Sequence, residues 1–255
     1  MFLASPALAS DRTPPSTMPV RAVDRPVTLL EDHFGLEPDL YVTRAGETAV
    51  VGIFLGAGYG VSNDMEVGLN LIRLTLSEDP SSGIDAPSGY ITYRLLDSQL
   101  ELAVKGEVEV PVNDAIDFAA SVPMRLHVGS LLAVNLEPGV FGAIASPAQY
   151  GVRVPAEVRI QTTDHLTIDA LAKFSVPNLR TSSAALLQFG GRIAYTLERH
   201  KAAFGELRAT VLASSLVLGD DAALFRPFTS DWTVLIDATF FLRSDPDEAA
   251  PDSPF

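Results

Sequence analysis

The sequence predicts an all-β chain that forms a single antiparallel up-and-down transmembrane β-barrel of about 12 strands. Three observations favour this fold class. Apolar and polar residues alternate in steps of two, the alternating segments are about ten to fourteen residues long, and tight polar turns alternate with longer loops between them. A tilted strand needs about 9–11 residues to cross a bilayer, so these segments are long enough to span one.

The composition excludes several classes of protein. The chain has 255 residues with a net charge of −14, and 47% of its residues are hydrophobic. Such a chain can bury a sizeable core, and its acidity argues against nucleic-acid binding. It contains no cysteine, which excludes disulfides and thiolate metal sites. We find no uncharged apolar run long enough for a spanning helix, since the best, 48–63, is short and rich in glycine.

The segment 100–110 shows the alternation most clearly. One face is apolar, and the other carries the charged residues Glu101, Lys105, Glu107 and Glu109. Successive side chains of a strand point to opposite faces, so this pattern indicates a strand. The predicted strands are 34–43, 48–61, 65–76, 88–97, 99–112, 116–129, 131–144, 149–161, 165–177, 185–198, 204–218 and 230–243.

The two ends of the chain differ from its centre. Ala7-Leu8-Ala9 fits the small-x-small cleavage pattern of a signal peptide, although the basic region and most of the apolar region of such a leader are missing. We therefore expect residues 1–26 to be a leader remnant and a periplasmic tail, with a disordered apolar tail as the alternative. Residues 27–243 are predicted to form the barrel, and 244–255 an acidic C-terminal tail.

A soluble β-sandwich also predicts alternation, so it is the main alternative fold. Strand length, mixed charges on the polar face and the placement of aromatic residues favour the membrane barrel. In the apolar phase, aromatic residues fall near both strand ends, as in the girdles of membrane barrels. This predicted girdle comprises Tyr59, Tyr93, Phe174, Phe189, Tyr195, Trp232 and Phe240.

Two motifs carry a resemblance to a known family. Residues 54–69, FLGAGYGVSNDMEVGL, resemble a hairpin common among Gram-negative outer-membrane barrels, and residues 24–30, DRPVTLL, resemble the segment leading into their first strand. The chain is therefore similar to transporter-like outer-membrane barrels of the MetA-pathway (phenol-degradation) type. The resemblance implies an outer-membrane location, passive transport, and contact with outer-membrane lipid, lipopolysaccharide and the barrel assembly machinery. An acidic tail follows Phe240 and Phe241, which leaves open which aromatic residue serves as the assembly signal.

The polar face would line the lumen of such a barrel. Mixed charges there predict ion pairs between neighbouring strands. They fit either a narrow channel that selects small solutes by charge and size or a closed scaffold whose charges satisfy one another. The predicted pore-lining residues are Arg94, Glu101, Lys105, Glu107, Glu109, Arg125, Arg153, Glu157, Arg159, Asp169, Lys173, Arg192, Arg208 and Asp237.

A column of glycines occupies the same inward phase on the second strand. Gly52, Gly56, Gly58 and Gly60 either bend the strand at a barrel corner, which is the simpler explanation, or make room for a neighbouring backbone, a plug or a solute.

Catalysis is a poor fit to the residues available. A Ser-His-carboxylate site at the external rim would need a histidine there. We place all four histidines, His33, His127, His165 and His200, at the periplasmic end. Acidic loop residues could offer oxygen ligands to Ca²⁺, although their spacing matches no known loop; they are Asp79, Asp85, Asp220 and Asp221. We therefore expect a non-enzymatic passive channel without a metal or cofactor, with a sealed structural barrel or a soluble β-sandwich binding module as alternatives.

Overall fold

The computed structural model describes most of the chain. The described residues are 18–45, 48–77, 83–85, 87–110, 116–144, 149–179, 185–197, 203–219, 222–225 and 231–243. Three sequence predictions lie outside them: the leader remnant at 1–9, the acidic tail at 244–255, and the calcium candidates Asp79, Asp220 and Asp221.

Almost all regular structure in these residues is β-strand. A single 3-10 helix, Ala22–Asp24, precedes the strands. The strands are β1 (His33–Ala45), β2 (Thr48–Ser62), β3 (Met65–Ser77), β4 (Gly83–Asp85), β5 (Ser88–Leu96), β6 (Leu100–Glu109), β7 (Ile116–Ser121), β8 (Met124–Val128), β9 (Leu132–Leu136), β10 (Gly139–Ile144), β11 (Gln149–Gln161), β12 (Leu166–Val176), β13 (Ala185–Thr196), β14 (Ala203–Gly219), β15 (Ala222–Phe225) and β16 (Asp231–Arg243).

The strands form one antiparallel sheet that closes on itself. β1 pairs with β2 on one side and with the last strand, β16, on the other, so no sheet edge remains between the chain ends. β7 with β8 and β9 with β10 each make one interrupted strand, while β4 and β15 only extend β3 and β14. The result is an up-and-down barrel of 12 strands, which confirms the fold class predicted from the sequence.

Two predicted strands, 116–129 and 131–144, are each split into two by a proline. Pro123 interrupts the first, and Pro138 interrupts the second. Proline has no backbone N–H to donate to the ladder, so regular pairing stops there. The proline carbonyls still accept hydrogen bonds from the neighbouring strands, from Ala103 N at 2.8 Å and from Val122 N at 2.9 Å, so the barrel wall remains continuous.

The barrel is polar inside and apolar outside. Inward-facing Asp169 and Glu206 are 1% and 2% exposed, whereas outward-facing Ile193 and Ile236 are 56% and 58% exposed. A soluble sandwich would bury its aliphatic side chains between two layers, so this arrangement excludes that alternative. It matches a wall that contacts hydrocarbon, where a closed sheet leaves no backbone group unpaired. No helix in the described part of the chain is both long and apolar enough to cross a bilayer.

The chain before β1 lies inside one end of the barrel. We call residues 18–32 the N-terminal segment, and the barrel end with the short turns the periplasmic end. In the segment, Met18, Leu29 and Leu30 pack with Phe204 and Phe241 of the wall. Residues up to 26 were predicted to be a leader remnant and a periplasmic tail, but residues 18–26 instead fold into the lumen. Their few apolar side chains are buried there, which outweighs the Pro, Ser, Thr and Arg composition around them.

Candidate functional site

Arg25 anchors the N-terminal segment to the barrel wall. Its guanidinium donates hydrogen bonds to Glu206 Oε2 at 2.6 Å and to Thr196 Oγ1 at 2.9 Å. The same group lies over the stacked rings of Phe204 and Phe241, 5.4 and 5.1 Å from their centroids. Burial lowers the pKa of Arg25 below its usual value, and the Glu206 carboxylate opposes part of that shift.

Lumen side chains satisfy the backbone of the N-terminal segment. Val27 N donates to Glu101 at 2.8 Å, and Leu29 N donates to Glu66 at 2.8 Å. The carbonyl oxygen of Arg25 accepts a hydrogen bond from Arg125. A chain segment inside a barrel has no strand partner, so the wall must supply these donors and acceptors. The wall is therefore built to hold this segment.

The inward glycines of β2 make room for the N-terminal segment. A Cβ atom on Gly60 would lie 1.9 Å from the carbonyl oxygen of Leu30, and one on Gly58 would lie 3.2 Å from Leu29 Cδ1. Farther along, a Cβ on Gly52 would overlap the Tyr41 ring at 2.0 Å. The strand register also shifts between Leu55 and Gly56 and between Gly60 and Ser62, so the strand is irregular at two of these glycines. Bending and close approach of neighbouring groups therefore both occur along this column of glycines.

A tight turn carries the chain from the lumen into β1. Asp32 has a φ of 60°, a left-handed conformation that aspartate tolerates better than most residues. Its N–H donates to the carbonyl of Gly60 at 3.0 Å, and its carboxylate accepts a hydrogen bond from the Tyr59 hydroxyl at 2.9 Å. The turn thus fixes the segment to β2 as well as to β14.

Four of the predicted pore-lining residues form one ion-pair ladder across β11, β12 and β13. Arg159 lies 2.9 Å from Glu157 and 3.4 Å from Asp169. Arg192 lies 2.6 Å from Asp169 and contacts Glu157 as well. The Asp169 side chain is fully buried, and two cations compensate its charge. The predicted interstrand ion pairs are therefore present here.

The other predicted lumen residues on β5 to β8 have separate partners. Arg94 binds the turn residues Asp64 and Asp97 at 3.0 and 3.3 Å. Further contacts on these strands include Glu101 with His127 at 2.7 Å, Glu107 with Ser88 at 2.9 Å, and Lys105 Nζ over the Tyr90 ring at 4.5 Å. All these side chains lie in the inward phase, and their role in lining a conducting pore stays a prediction.

The last predicted residues lie at different levels of the lumen. Arg208 pairs with Asp237 on the neighbouring strand. Arg153 and Glu109 line a cavity of about 390 Å³ near the outer strand ends. Lys173 lines a cavity of about 440 Å³ in the middle of the lumen. Within the described ranges, neither Arg153 nor Lys173 has a carboxylate within ion-pair distance.

The predicted girdle residues lie on the outer surface of the barrel to different extents. Four are well exposed: Tyr93 at 48%, Phe189 at 49%, Tyr195 at 49% and Phe240 at 38%. The others, Tyr59, Phe174 and Trp232, are half-buried. Phe241 points inward and packs on the N-terminal segment, so of the adjacent pair only Phe240 faces outward.

The histidines hold turns and strand ends together. His33 Nδ1 lies 2.8 Å from the carbonyl of Glu31, and His165 Nδ1 lies 2.8 Å from the carbonyl of Thr196. His127 contacts Glu101, and His200 lies outside the described residues. In the residues that the structure describes, no group of His, Asp and Glu side chains is placed to hold a metal ion.

Sequence reasoning missed the residues that hold the N-terminal segment, notably Arg25, Glu66 and Glu206. The available signal was weak: four apolar residues, Met18, Val23, Leu29 and Leu30, in a Pro- and Arg-rich stretch, and inward glycines on β2. Neither feature alone shows whether the N-terminal segment lies inside the barrel or extends from it as a tail.

The geometry agrees with solved membrane channels. The barrel has the fold of bacterial outer-membrane porins and channels. The COG4313 outer membrane channel from Pseudomonas putida F1 is 9% identical, with a TM-score of 0.56 over 86% of this chain and 97% of that one. The NanC porin is 10% identical, with a TM-score of 0.56 over 80% and 98%.

A third solved structure, the KdgM porin in complex with disordered oligogalacturonate, is 8% identical, with a TM-score of 0.55 over 82% of this chain and 98% of that one. No family model matches the sequence, and no curated protein matches it. At these identities the likeness establishes the fold and leaves the solute to be argued from the lumen.

Proposed function

We propose that this chain is an outer-membrane channel that passes small solutes passively, without covalent catalysis. The observation that carries the proposal is the cavity of about 440 Å³ in the middle of the lumen. A purely structural barrel of this size would fill that space with side chains, as narrower barrels do. Charged residues line the cavity instead, which suits selection of solutes by charge and size.

The solved relatives support this role. KdgM and NanC are porins, and the Pseudomonas putida protein is described as an outer membrane channel. The apolar outer wall would contact outer-membrane lipid and lipopolysaccharide, and the barrel assembly machinery would insert the chain. These partners follow from the location that we propose.

The N-terminal segment favours a second candidate, a barrel that is sealed permanently. Its backbone and Arg25 are held by hydrogen bonds to several wall strands, including those from Glu206 and Glu101. We infer that this arrangement is the closed state of a channel. The segment lies on only one side of the central cavity, and that cavity would have no use in a permanently sealed barrel.

Conductance in planar bilayers distinguishes the two candidates. We expect the wild-type protein to give infrequent openings and Arg25→Met to give frequent ones, because the substitution removes the anchor from Glu206 and Thr196. Arg21→Met is the matched control. Arg21 belongs to the same segment but makes its contacts at the exposed rim, with the Ser130 carbonyl, with Asp24 at 3.5 Å and with Asp164 at 3.8 Å. An exposed ion pair contributes about 0–1 kcal/mol, so this variant should open much less often than Arg25→Met.

The same conductance experiment also has a result that would establish the sealed barrel. If correctly inserted wild-type and Arg25→Met proteins both pass no current, the channel is wrong and the sealed barrel stands. Heat-modifiable mobility on gels shows whether each variant is folded before it is tested.

A further inference from the structure

The central cavity lies directly above the N-terminal segment. Val27 of that segment forms part of its lining, and the rest comes from the wall strands β8, β9, β11 to β14 and β16 and from Pro123 and Glu137 between strands. At about 440 Å³ it falls within the usual range of small-ligand sites, about 300–1,000 Å³. A solute that entered from outside would meet this cavity before it met the segment.

Four cations line this cavity, although the chain as a whole is strongly acidic. They are Arg125, Arg159, Lys173 and Arg192. Two carboxylates, Glu137 and Glu157, lie in the same lining, and the buried Asp169 carboxylate pairs with Arg159 and Arg192. Three carboxylates therefore stand against four cations, which leaves a local excess of one positive charge in a protein with a net charge of −14, and this excess attracts anions.

Among the residues that the structure describes, Lys173 is the cation in this lining that has no hydrogen-bond or ion-pair partner. Its directly opposed neighbours on β11 and β13 are Pro155 and Gln188, neither of which carries a charge. Within the residues that the structure describes, no hydrogen bond or ion pair reaches its ammonium group. By contrast, Arg159 and Arg192 are neutralised by Glu157 and Asp169.

An apolar strip lies next to Lys173. Leu171 and Leu212 pair with Gly190 from either side, so the three residues form one row across β12, β13 and β14. A Cβ on Gly190 would lie 2.8 Å from Leu212 Cδ2, which shows that the leucine covers the glycine. Lys173 follows Leu171 by two positions on the same face, about 7 Å farther toward the outer end.

A buried hydroxyl completes the site. Thr210, next to Arg192 in the row below, is only 5% exposed and lines the same cavity. Its Oγ1 has no hydrogen-bond partner among the described residues. A buried polar group without a partner is costly, and a bound solute or water could supply one.

We propose that this cavity binds a small amphipathic organic anion, with its carboxylate at Lys173. Its apolar body would lie on Leu171 and Leu212 of the strip and on Leu235, which lines the cavity opposite Thr210. The proposal rests on the channel function, because it names the class of solute that the channel selects. An inorganic anion would leave the leucines without a role, and a neutral apolar solute would leave Lys173 without a counter-charge.

Equilibrium binding of 2-naphthoate and 2-naphthamide to the full chain in lipid nanodiscs tests the proposal, with empty nanodiscs subtracted. The two probes share a ring system and differ in charge. We expect wild type to bind the acid at least about tenfold more tightly than the amide, as a charged hydrogen bond allows. Lys173→Gln should remove that preference, and Lys173→Arg should keep it.

Two further comparisons distinguish binding at this site from attraction of anions by positive charge elsewhere in the lumen. Lys105→Gln removes another lumen lysine, whose ammonium lies over the Tyr90 ring, and should keep the preference. Leu212→Ala should weaken binding of both naphthyl probes, while Leu207→Ala on the outer surface should not. Acetate, which lacks the apolar body, should bind at least about tenfold more weakly than 2-naphthoate.

Several results would overturn the proposal. They are equal affinity of the acid and the amide for wild type, an unchanged preference in Lys173→Gln, the same loss in Lys105→Gln, and acetate binding as tight as that of 2-naphthoate. Failure of the channel function shows separately, as absence of current in bilayers, because binding in nanodiscs does not require transport.

Discussion

The Arg25 guanidinium lies 2.6 Å from the Glu206 carboxylate, and both side chains are almost completely buried. This ion pair joins the N-terminal segment to β14 at the periplasmic end of the lumen. Removing one partner of a buried pair costs about 3–5 kcal/mol, because the other charge remains buried alone. The contact is therefore the strongest single tie that we identify between the segment and the wall.

Neutralising both partners should restore part of the closure that a single substitution loses. Arg25→Met leaves the Glu206 carboxylate buried without its cation, and we expect a high frequency of openings in bilayers. Arg25→Met combined with Glu206→Leu removes the unpaired charge, so the segment can return to its apolar cluster. Openings as frequent in the double variant as in the single one would contradict this explanation.

A side chain on Gly60 should displace the N-terminal segment without harming the barrel. The Cβ of Gly60→Val would lie 1.9 Å from a backbone oxygen of Leu30, which cannot move without shifting the segment. Gly106→Val is the control, because nothing lies within 4 Å of the position that its Cβ would take. We expect increased current only for the Gly60 variant. Unchanged current there, in a protein with normal heat-modifiable mobility, would contradict the account.

The ion-pair ladder should contribute to the stability of the barrel. Asp169→Asn removes the carboxylate that faces both Arg159 and Arg192, so we expect a loss of about 3–5 kcal/mol in the free energy of unfolding. Lys105→Gln removes only a cation–π contact at a half-buried site and should cost about 0.5–1 kcal/mol. Urea unfolding from lipid vesicles measures both. Similar losses would show that the ladder has no special role.

Adjacent alanines on β7 should respond in opposite ways to a positive charge. Ala120 is exposed on the outer face, and Ala119 faces the lumen beside Glu107. A charge on the lipid face near the midplane costs about 2–4 kcal/mol, so Ala120→Arg should destabilise the barrel by that amount. Ala119→Arg should cost much less, because water and a carboxylate are within reach. Urea unfolding of the two variants makes the comparison.

Strand alternation predicts most of this fold because it depends only on neighbouring residues. The predicted segment 165–177 matches β12, which spans Leu166–Val176, and both aqueous and lipid faces follow from the period of two. The alternation does not predict how much room each inward-facing side chain has inside the lumen. Thr167 falls in the inward phase as expected, but it is 1% exposed, so a large side chain would not fit there.

The N-terminal segment and the choice of ion-pair partners could not be predicted in the same way. Arg25 meets Glu206 only after the barrel closes, across 181 positions of the chain. Similarly, Lys173 has no carboxylate partner in the described part of the chain, because the register places Pro155 and Gln188 beside it. Both facts depend on closure and register, which a local pattern does not specify.

The most direct test of the account is which side of the wall touches lipid. The chain has no cysteine, so single cysteines at Val104, Lys105, Glu107 and Val108 can each carry a fluorophore in vesicles that contain brominated lipid. We predict strong quenching at 104 and 108 and weak quenching at 105 and 107, in step with the alternation of β6. Equal quenching at all four positions, or the reverse order, would contradict the membrane barrel and the charged lumen together.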